Sequence, residues 1–222
     1  MNNKKVTVVF TSCGRFDLLG KTIESFLKYN TYPIEKYFII DNSTMFEAYD
    51  NLINMFPNNE NIEIIMNETN IGQVSSIDKV YKQINTEYIF HCEDDWEFFD
   101  QGFIELSLDV LEERKDVSNI NIRVRFDGER GSMHPITGNF KTKNNIIYHE
   151  YQINYLDEWH GFSWNPGLRR LSDYTKIKPY KQYGNEQGVN KIMFELGYKA
   201  ACLEKPYCKH IGINSITFKS NM

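Results

Sequence analysis

The chain alternates short β-rich apolar runs with longer stretches of helical spacing. That alternation limits the folds open to it more than any other feature. Residues 5–11 form the first apolar run, and residues 16–29 then place Leu19, Ile23, Phe26 and Leu27 at helical spacing. Residues 37–40 read as a second buried strand, residues 45–56 as a helix stopped before Pro57, and residues 62–66 as a third strand. A helix over 72–84, a strand over 87–92, a helix over 103–111 and a strand over 120–124 continue the series. Strands separated by helix-length segments argue for βαβ units. The expected fold class is therefore α/β, with a mostly parallel central sheet flanked by helices. Such sheets bind ligands beyond the carboxyl ends of their strands. The sequence places polar residues there: Thr11-Ser12, Asp41-Asn42-Ser43, residues 67–70, and Glu93-Asp94-Asp95.

The second half is less regular. Residues 125–145, rich in Gly, Asn and Lys, read as loops or a hairpin, and residues 146–153 as a strand. Residues 185–196 form an amphipathic helix with Val189, Ile192, Met193 and Leu196 on one face, and residues 198–202 and 207–211 read as short strands. No linker or repeat divides the 222 residues, so a single domain over 1–222 is expected. The net charge of −5 argues against nucleic-acid binding by bulk charge, and 41% apolar with 14% aromatic residues excludes a disordered chain. No apolar run approaches the ~18 residues of a membrane span. The run from Val6 to Phe10 is too short for a signal-peptide core. Four scattered cysteines make no disulfide framework. They read as reduced thiols, and the expected location is cytoplasmic, with no transmembrane segment.

The strand over 87–92 opens into Glu93, Asp94 and Asp95. Adjacent carboxylates at one strand end repel each other, and a divalent cation with oxygen ligands, Mn²⁺ or Mg²⁺, would relieve that repulsion. The competing reading is a solvated acidic turn before a helix. Upstream, Gly14 to Thr22 nearly spells a phosphate-binding P-loop ending in Gly20-Lys21-Thr22. Five residues separate its glycines where the P-loop needs four, and Phe16, Leu18 and Leu19 suit a helix face better. Cys202, Cys208 and His210 lack a fourth zinc ligand at recognisable spacing, and His91 reads as a satisfied strand histidine.

Together these segments resemble a known family. Val6 to Arg15, then Ile39 to Ser43, then Asn70-Ile71-Gly72, then Glu93-Asp94-Asp95 resemble the nucleotide-sugar half of GT-A glycosyltransferases, family-2-like ones in particular. The last segment looks like their D-x-D motif in an E-D-D form. Phe162 to Leu168 resembles an acceptor-side segment, Asn185-Glu186 their E-D helix start, and Lys209-His210 a late metal-binding histidine. Two positions depart from the family pattern: Ile77-Asp78 stands where R-N is usual, and Asn185-Glu186 stands where E-D is usual.

The resemblance implies a nucleotide-sugar half over 1–100 and an acceptor-side half over 101–222. It also implies a metal-dependent, inverting transfer of a sugar from a nucleoside-diphosphate donor, a UDP-sugar by preference, to a glycan or related hydroxyl. Thr11, Ser12 and Arg15 would line the nucleotide pocket with Asn70, Gly72 and Glu93, Asp41 would contact base or ribose, and Asp94 would face ribose or metal. Asp95 and His210 would ligate Mn²⁺ or Mg²⁺. Glu186 would be the general base, with Asp157 and Glu158 in reserve. Trp159, His160 and Trp164 would stack on the acceptor. A P-loop-like kinase or NTPase, a nucleotidyltransferase, and a degenerate nucleotide- or glycan-binding module stand as alternatives.

Overall fold

Seven consecutive buried residues make the first strand, β1 (Val6–Ser12). Its side chains alternate between two cores: Val6, Val8 and Phe10 face one side of the sheet, and Val9 faces the other. The same alternation recurs in β2 (Lys36–Asp41), where Ile39 opposes Phe38 and Ile40, and in β4 (Tyr88–Glu93), where Phe90 opposes Ile89. Strands buried on both faces need helices on both faces, which is the three-layer solution for parallel sheets. The computed structural model describes residues 4–46, 49–54, 56, 61–124, 135–152 and 159–212.

On one face lies α1 (Phe16–Tyr29), which buries Leu19, Thr22, Ile23 and Phe26, together with α4 (Phe103–Glu113). Phe26 is the hub of this core, with its ring centroid 5.3–5.6 Å from those of Phe10, Phe90, Phe98 and Phe103. On the other face, α3 (Gln73–Tyr81), α5 (Leu171–Ile177) and α6 (Glu186–Glu195) pack Ile77, Val80, Tyr174, Val189 and Met193 against the sheet. A short helix, α2 (Tyr49–Asn54), precedes β3 (Ile62–Met66).

The main sheet has nine strands in the order β3-β2-β1-β4-β9-β6-β10-β8-β7, where β6 is Val117–Asn121, β7 Ile136–Lys141, β8 Ile147–Tyr151, β9 Gly167–Arg170 and β10 Lys199–Leu203. Seven strands point one way; β8 and β9 point the other. The mostly parallel α/β expectation therefore holds. A two-stranded sheet joins β5 (Trp96–Phe98) to β11 (Cys208–His210).

Several elements differ from the sequence reading. The strand expected over 120–124 lies earlier, as β6. Of the region 125–145 expected as loops or a hairpin, residues 125–134 lie outside the described residues, and residues 136–145 belong to a β7–β8 hairpin. Strand β9 and helix α5 carry no clear periodicity, because Arg169 and Arg170 interrupt the apolar pattern. Both arginines are nonetheless buried. Arg170 donates through Nη1 and Nη2 to the carbonyls of Leu111, Arg114 and Val117 and pairs with Asp173, while its Nε is buried without a hydrogen-bond partner among the described residues.

Candidate active site

The polar strand ends converge at the carboxyl edge of the β2-β1-β4 run. Register fixes this convergence, since Ser12 sits beside Asp41 and Thr11 sits beside Glu93. After β1 the chain turns through Gly14, whose φ of +74 disfavours any other residue and where an added Cβ would lie only 2.9 Å from the Ser43 Cβ. That turn starts α1 at Phe16, so Gly20, Lys21 and Thr22 lie inside a helix, and the near-P-loop motif is not a loop. Thr22 is buried instead. Its hydroxyl donates to the Asp94 carbonyl at 2.9 Å and accepts from the Trp96 amide at 3.0 Å, which pins the turn carrying the acids.

Asp94 and Asp95 are both buried. Asp94 accepts from the Ser12 hydroxyl at 3.0 Å and from Arg15 Nε at 3.1 Å, with a second, shorter Arg15 contact. Asp95 Oδ2 meets Arg15 Nη1 at 2.9 Å and His210 Nε2 at 3.1 Å. Strand pairing of β11 on β5 puts His210 opposite Trp96 and so beside Asp95, and the Ile211 amide donates to the Asp95 carbonyl at 2.9 Å. Burial works to raise Asp95, but the His210 hydrogen bond and the Arg15 charge outweigh it and hold its carboxyl below the usual range. For Asp94, burial prevails over Arg15 and pushes the carboxyl up.

Glu93 is pushed up to about 7, first by burial and then by the charge of Glu186, against a hydrogen bond from Gln73 at 3.0 Å. Glu186, in the first turn of α6, thus brings its charge near the same acidic strand end. Its Oε2 accepts from the Trp164 amide at 2.7 Å and lies 3.4 Å from the Ser163 hydroxyl, and burial raises its carboxyl too. Ser163 is held in turn, because its carbonyl accepts from the buried guanidinium of Arg169 at 3.0 Å. Arg169 and Gln73 escaped the sequence reading, and Ser163 entered it only as part of the segment from Phe162 to Leu168. The only signal for Arg169 was a pair of arginines in an otherwise apolar segment.

Both departures from the family pattern have structural occupations. Asn185 is the N-cap of α6, its side chain accepting from the Gly188 amide at 3.0 Å. Asp78 accepts from the Tyr174 hydroxyl and from the Tyr180 and Lys181 amides at 2.8–2.9 Å, which ties α3 to the 3-10 turn Tyr180–Tyr183.

Other expected site residues are placed differently. Asp41 is fully buried, with one oxygen accepting the Gly14 amide and the other the Ser43 amide and hydroxyl, so it shapes the pocket wall and presents no free carboxylate. Thr11 is buried at the same edge. Asn70 is exposed and accepts from the Gly72 amide at 2.9 Å, shaping the start of α3. Trp164 is 1% exposed and packs against Phe162 and Tyr180. The stacking role expected of its indole does not fit that burial, and only its amide reaches the site. His160 is half-buried and stacks on Phe194 at 4.2 Å, and Trp159 packs edge-on against Tyr151. His91 is fully buried, bonded through Nδ1 to the Tyr81 hydroxyl at 3.0 Å, and burial keeps it neutral. Asp157 and Glu158 lie outside the described residues.

Among the described residues no group of three or more His, Cys, Asp or Glu side chains is arranged to hold a metal. Two donors of suitable chemistry do converge, Asp95 Oδ2 and His210 Nε2. Mg²⁺ and similar ions commonly take one or two protein ligands and complete their shell with phosphate oxygens and water. The pair therefore fits a cation that arrives with a diphosphate.

A mixed sheet of this order, with acids beyond the central strand, defines a nucleotide-diphospho-sugar transferase fold of the GT-A type. Residues 7–173 match glycosyl transferase family 2, and the chain belongs to that family. No curated protein matches the sequence. Among solved structures it is similar to the mannosyltransferase PcManGT from Pyrobaculum calidifontis, in complex with GDP-Man and Mn²⁺, at 11% identity and a TM-score of 0.68, over 98% of this chain and 59% of that one. GalNAc-T7 with UDP, GalNAc and Mn²⁺ is similar at 12% identity and a TM-score of 0.66, over 94% of this chain and 43% of that one. S. aureus TarS is similar at 11% identity and a TM-score of 0.64, over 93% and 36%. The chain thus spans less than two thirds of each of these proteins, and at such identity the likeness is one of fold. No helix among the described residues is long and apolar enough to cross a membrane.

Proposed function

We propose that this chain transfers a sugar from a nucleoside-diphosphate donor to a hydroxyl acceptor, with inversion at the anomeric carbon and with a divalent cation. The observation that carries this reading is the meeting of Asp95 with His210 at 3.1 Å beside the β4 acids, with Glu186 near them. Asp95 and His210 would hold Mn²⁺ or Mg²⁺. When bound, that ion would neutralise charge on the departing diphosphate. Thr11, Ser12 and Arg15, with the turns built on Asp41 and Asn70, would form the nucleotide side of the site. Glu186 would take the proton of the acceptor hydroxyl as its oxygen attacks, and the diphosphate would leave from the opposite face in one displacement. The raised carboxyl of Glu186 suits a base whose proton affinity must be substantial. Trp159 and His160, in the segment preceding Ser163 and Trp164, would contact the acceptor. A uridine nucleotide is the proposed donor, and GDP-Man and UDP in the structural neighbours name the two bases to compare first.

The test is a thermal-shift panel of UDP, GDP, CMP, dTDP and ATP, each with Mn²⁺ or with EDTA. A ligand at ~100 times its Kd stabilises by about 2.7 kcal/mol, which is roughly 5–11 °C for a chain of this size. A Mn²⁺-dependent shift with one nucleoside diphosphate is expected. A shift with ATP alone, or with no nucleotide, would overturn the reading.

A further inference from the structure

The Arg15 guanidinium bridges both acids of the strand end at once. Its Nε lies 3.1 Å from Asp94 Oδ2 and its Nη1 2.9 Å from Asp95 Oδ2, while Nη2 closes on Asp94 Oδ1. Asp95 Oδ2 is also the atom that His210 Nε2 meets at 3.1 Å. A cation held between Asp95 and His210 needs that oxygen. In a site of low effective dielectric it cannot share so small a space with a guanidinium without strong repulsion. Arg15 therefore occupies the place the cation would take.

The side chain is not sealed in. Arg15 is 22% exposed, whereas the side chains of Asp94 and Asp95 are 2% and 8% exposed. Its backbone is anchored separately, because its carbonyl accepts from the Leu18 and Leu19 amides at 3.0 and 2.9 Å. The guanidinium can thus turn about its own side-chain bonds without unwinding α1. A guanidinium fork pairs with phosphate oxygens as well as with carboxylates, and the N-terminal end of α1 beside it favours negative charge.

We propose that Arg15 is an exchangeable counter-ion: it neutralises Asp94 and Asp95 in the free protein, yields Asp95 to the divalent cation, and turns to the diphosphate that arrives with it. The step exchanges ion pairs and makes or breaks no covalent bond. Both halves of this proposal rest on the function proposed above, which names the cation and the diphosphate; the Mn²⁺ titration tests the first half without any nucleotide. The consequence is that the free protein binds the cation poorly, and that cation and nucleoside diphosphate bind as a pair.

The experiment is titration of Mn²⁺, followed by electron paramagnetic resonance, into nucleotide-free wild type, Arg15→Met and Arg15→Lys. UDP and GDP are then titrated at saturating Mn²⁺. Arg15→Met is expected to bind Mn²⁺ alone about tenfold more tightly or better, since close charge pairs couple by more than the ~1.4 kcal/mol that tenfold represents. The same variant is expected to bind the nucleoside diphosphate at least about tenfold more weakly. Arg15→Lys keeps the charge but cannot bridge both acids, and should fall between. Unchanged or weaker Mn²⁺ binding in the variants, or unchanged nucleotide binding at saturating Mn²⁺, would overturn the proposal. If Arg15→Met fails to fold by circular dichroism, the Lys variant decides by the same criteria. If wild type binds neither nucleotide, the proposed function fails, while the Mn²⁺ comparison still decides whether Arg15 holds the cation's place.

Discussion

At the scale of single residues, the site is a contest between burial and charge. Four carboxyls, those of Glu93, Asp94, Asp95 and Glu186, share one edge, and Arg15 neutralises only two of them directly. Glu186 is where this contest has a measurable consequence. Burial raises its carboxyl, with the Trp164 amide and the Arg169 charge pulling the other way. The folded chain therefore keeps the proton to a higher pH than the unfolded chain does. The associated stability is full below the ordinary glutamate value of 4.5 and is lost as pH rises from there through the folded value. Turnover by a general base runs in the opposite sense and rises over that upper limb, as the carboxylate forms. Glu186→Gln keeps an acceptor for the Trp164 amide, so it should fold. It should flatten both pH dependences and lower kcat by ~10²–10⁴-fold. Parallel kcat–pH profiles and thermal melts read both effects, and near-wild-type turnover would remove Glu186 from the mechanism.

Residue identity alone was a partial guide at this scale. The acids at 93–95 stood out as adjacent carboxylates at one strand end, whereas His210 and Glu186 were singled out only through the family resemblance. Asp41 and the Trp164 indole lie buried in the structure; the sequence does not say whether a polar or aromatic side chain ends in a pocket or in the wall behind it. Asn185 and Asp78 departed from the family pattern for local reasons: one caps a helix and the other satisfies two backbone amides and a tyrosine hydroxyl.

At the scale of elements, β9 is the piece on which the surroundings of Glu186 depend. It runs antiparallel between β4 and β6, with Gly167 facing His91 on one side and Asn121 on the other. A Cβ at Gly167 would lie 2.3 Å from the Ile120 carbonyl oxygen, so the two strands could not keep their spacing. Gly167→Ala should lower stability by roughly 1–3 kcal/mol, as overpacking does. It should also disturb Ser163 and Trp164, the two groups that hold Glu186. Urea unfolding with a kcat measurement on the folded fraction checks both, and a loss below about 0.5 kcal/mol, within surface-mutation range, would show that the sheet gives way easily there. Strand β9 escaped the sequence reading because it is only four residues long, and two of them are arginines. Their burial is licensed by tertiary partners, which no periodicity reveals.

At the scale of the whole molecule, the sheet runs without interruption from β3 to β7, through strands of both halves of the chain. Strand β4 takes β9 as its neighbour, β5 takes β11, and α3 is tied to the turn before α6 through Asp78. The two halves expected over 1–100 and 101–222 therefore depend on each other for edge pairing and for covering α3. The full chain should unfold in one cooperative transition. A fragment of residues 1–100 should show no sigmoidal urea transition by far-ultraviolet circular dichroism, because β4 would present an open edge and the second core would lose α5 and α6. An independent, cooperative fragment would make the halves separate folding units.

The sequence by itself determined the α/β class, the parallel nucleotide-side strands with their helices, and the row of polar residues at their carboxyl ends. These follow from period-2 and period-3.6 apolar patterns and from turn chemistry, which act over a few residues. Only the tertiary structure decided which distant groups meet. His210 reaches Asp95 across 115 positions, Arg15 reaches Asp94 across 79, and Glu186 comes near Glu93 through the packing of α6. Such meetings are set by strand order and by helix placement over the sheet. They depend on how the whole chain buries its two cores, and no local pattern encodes them.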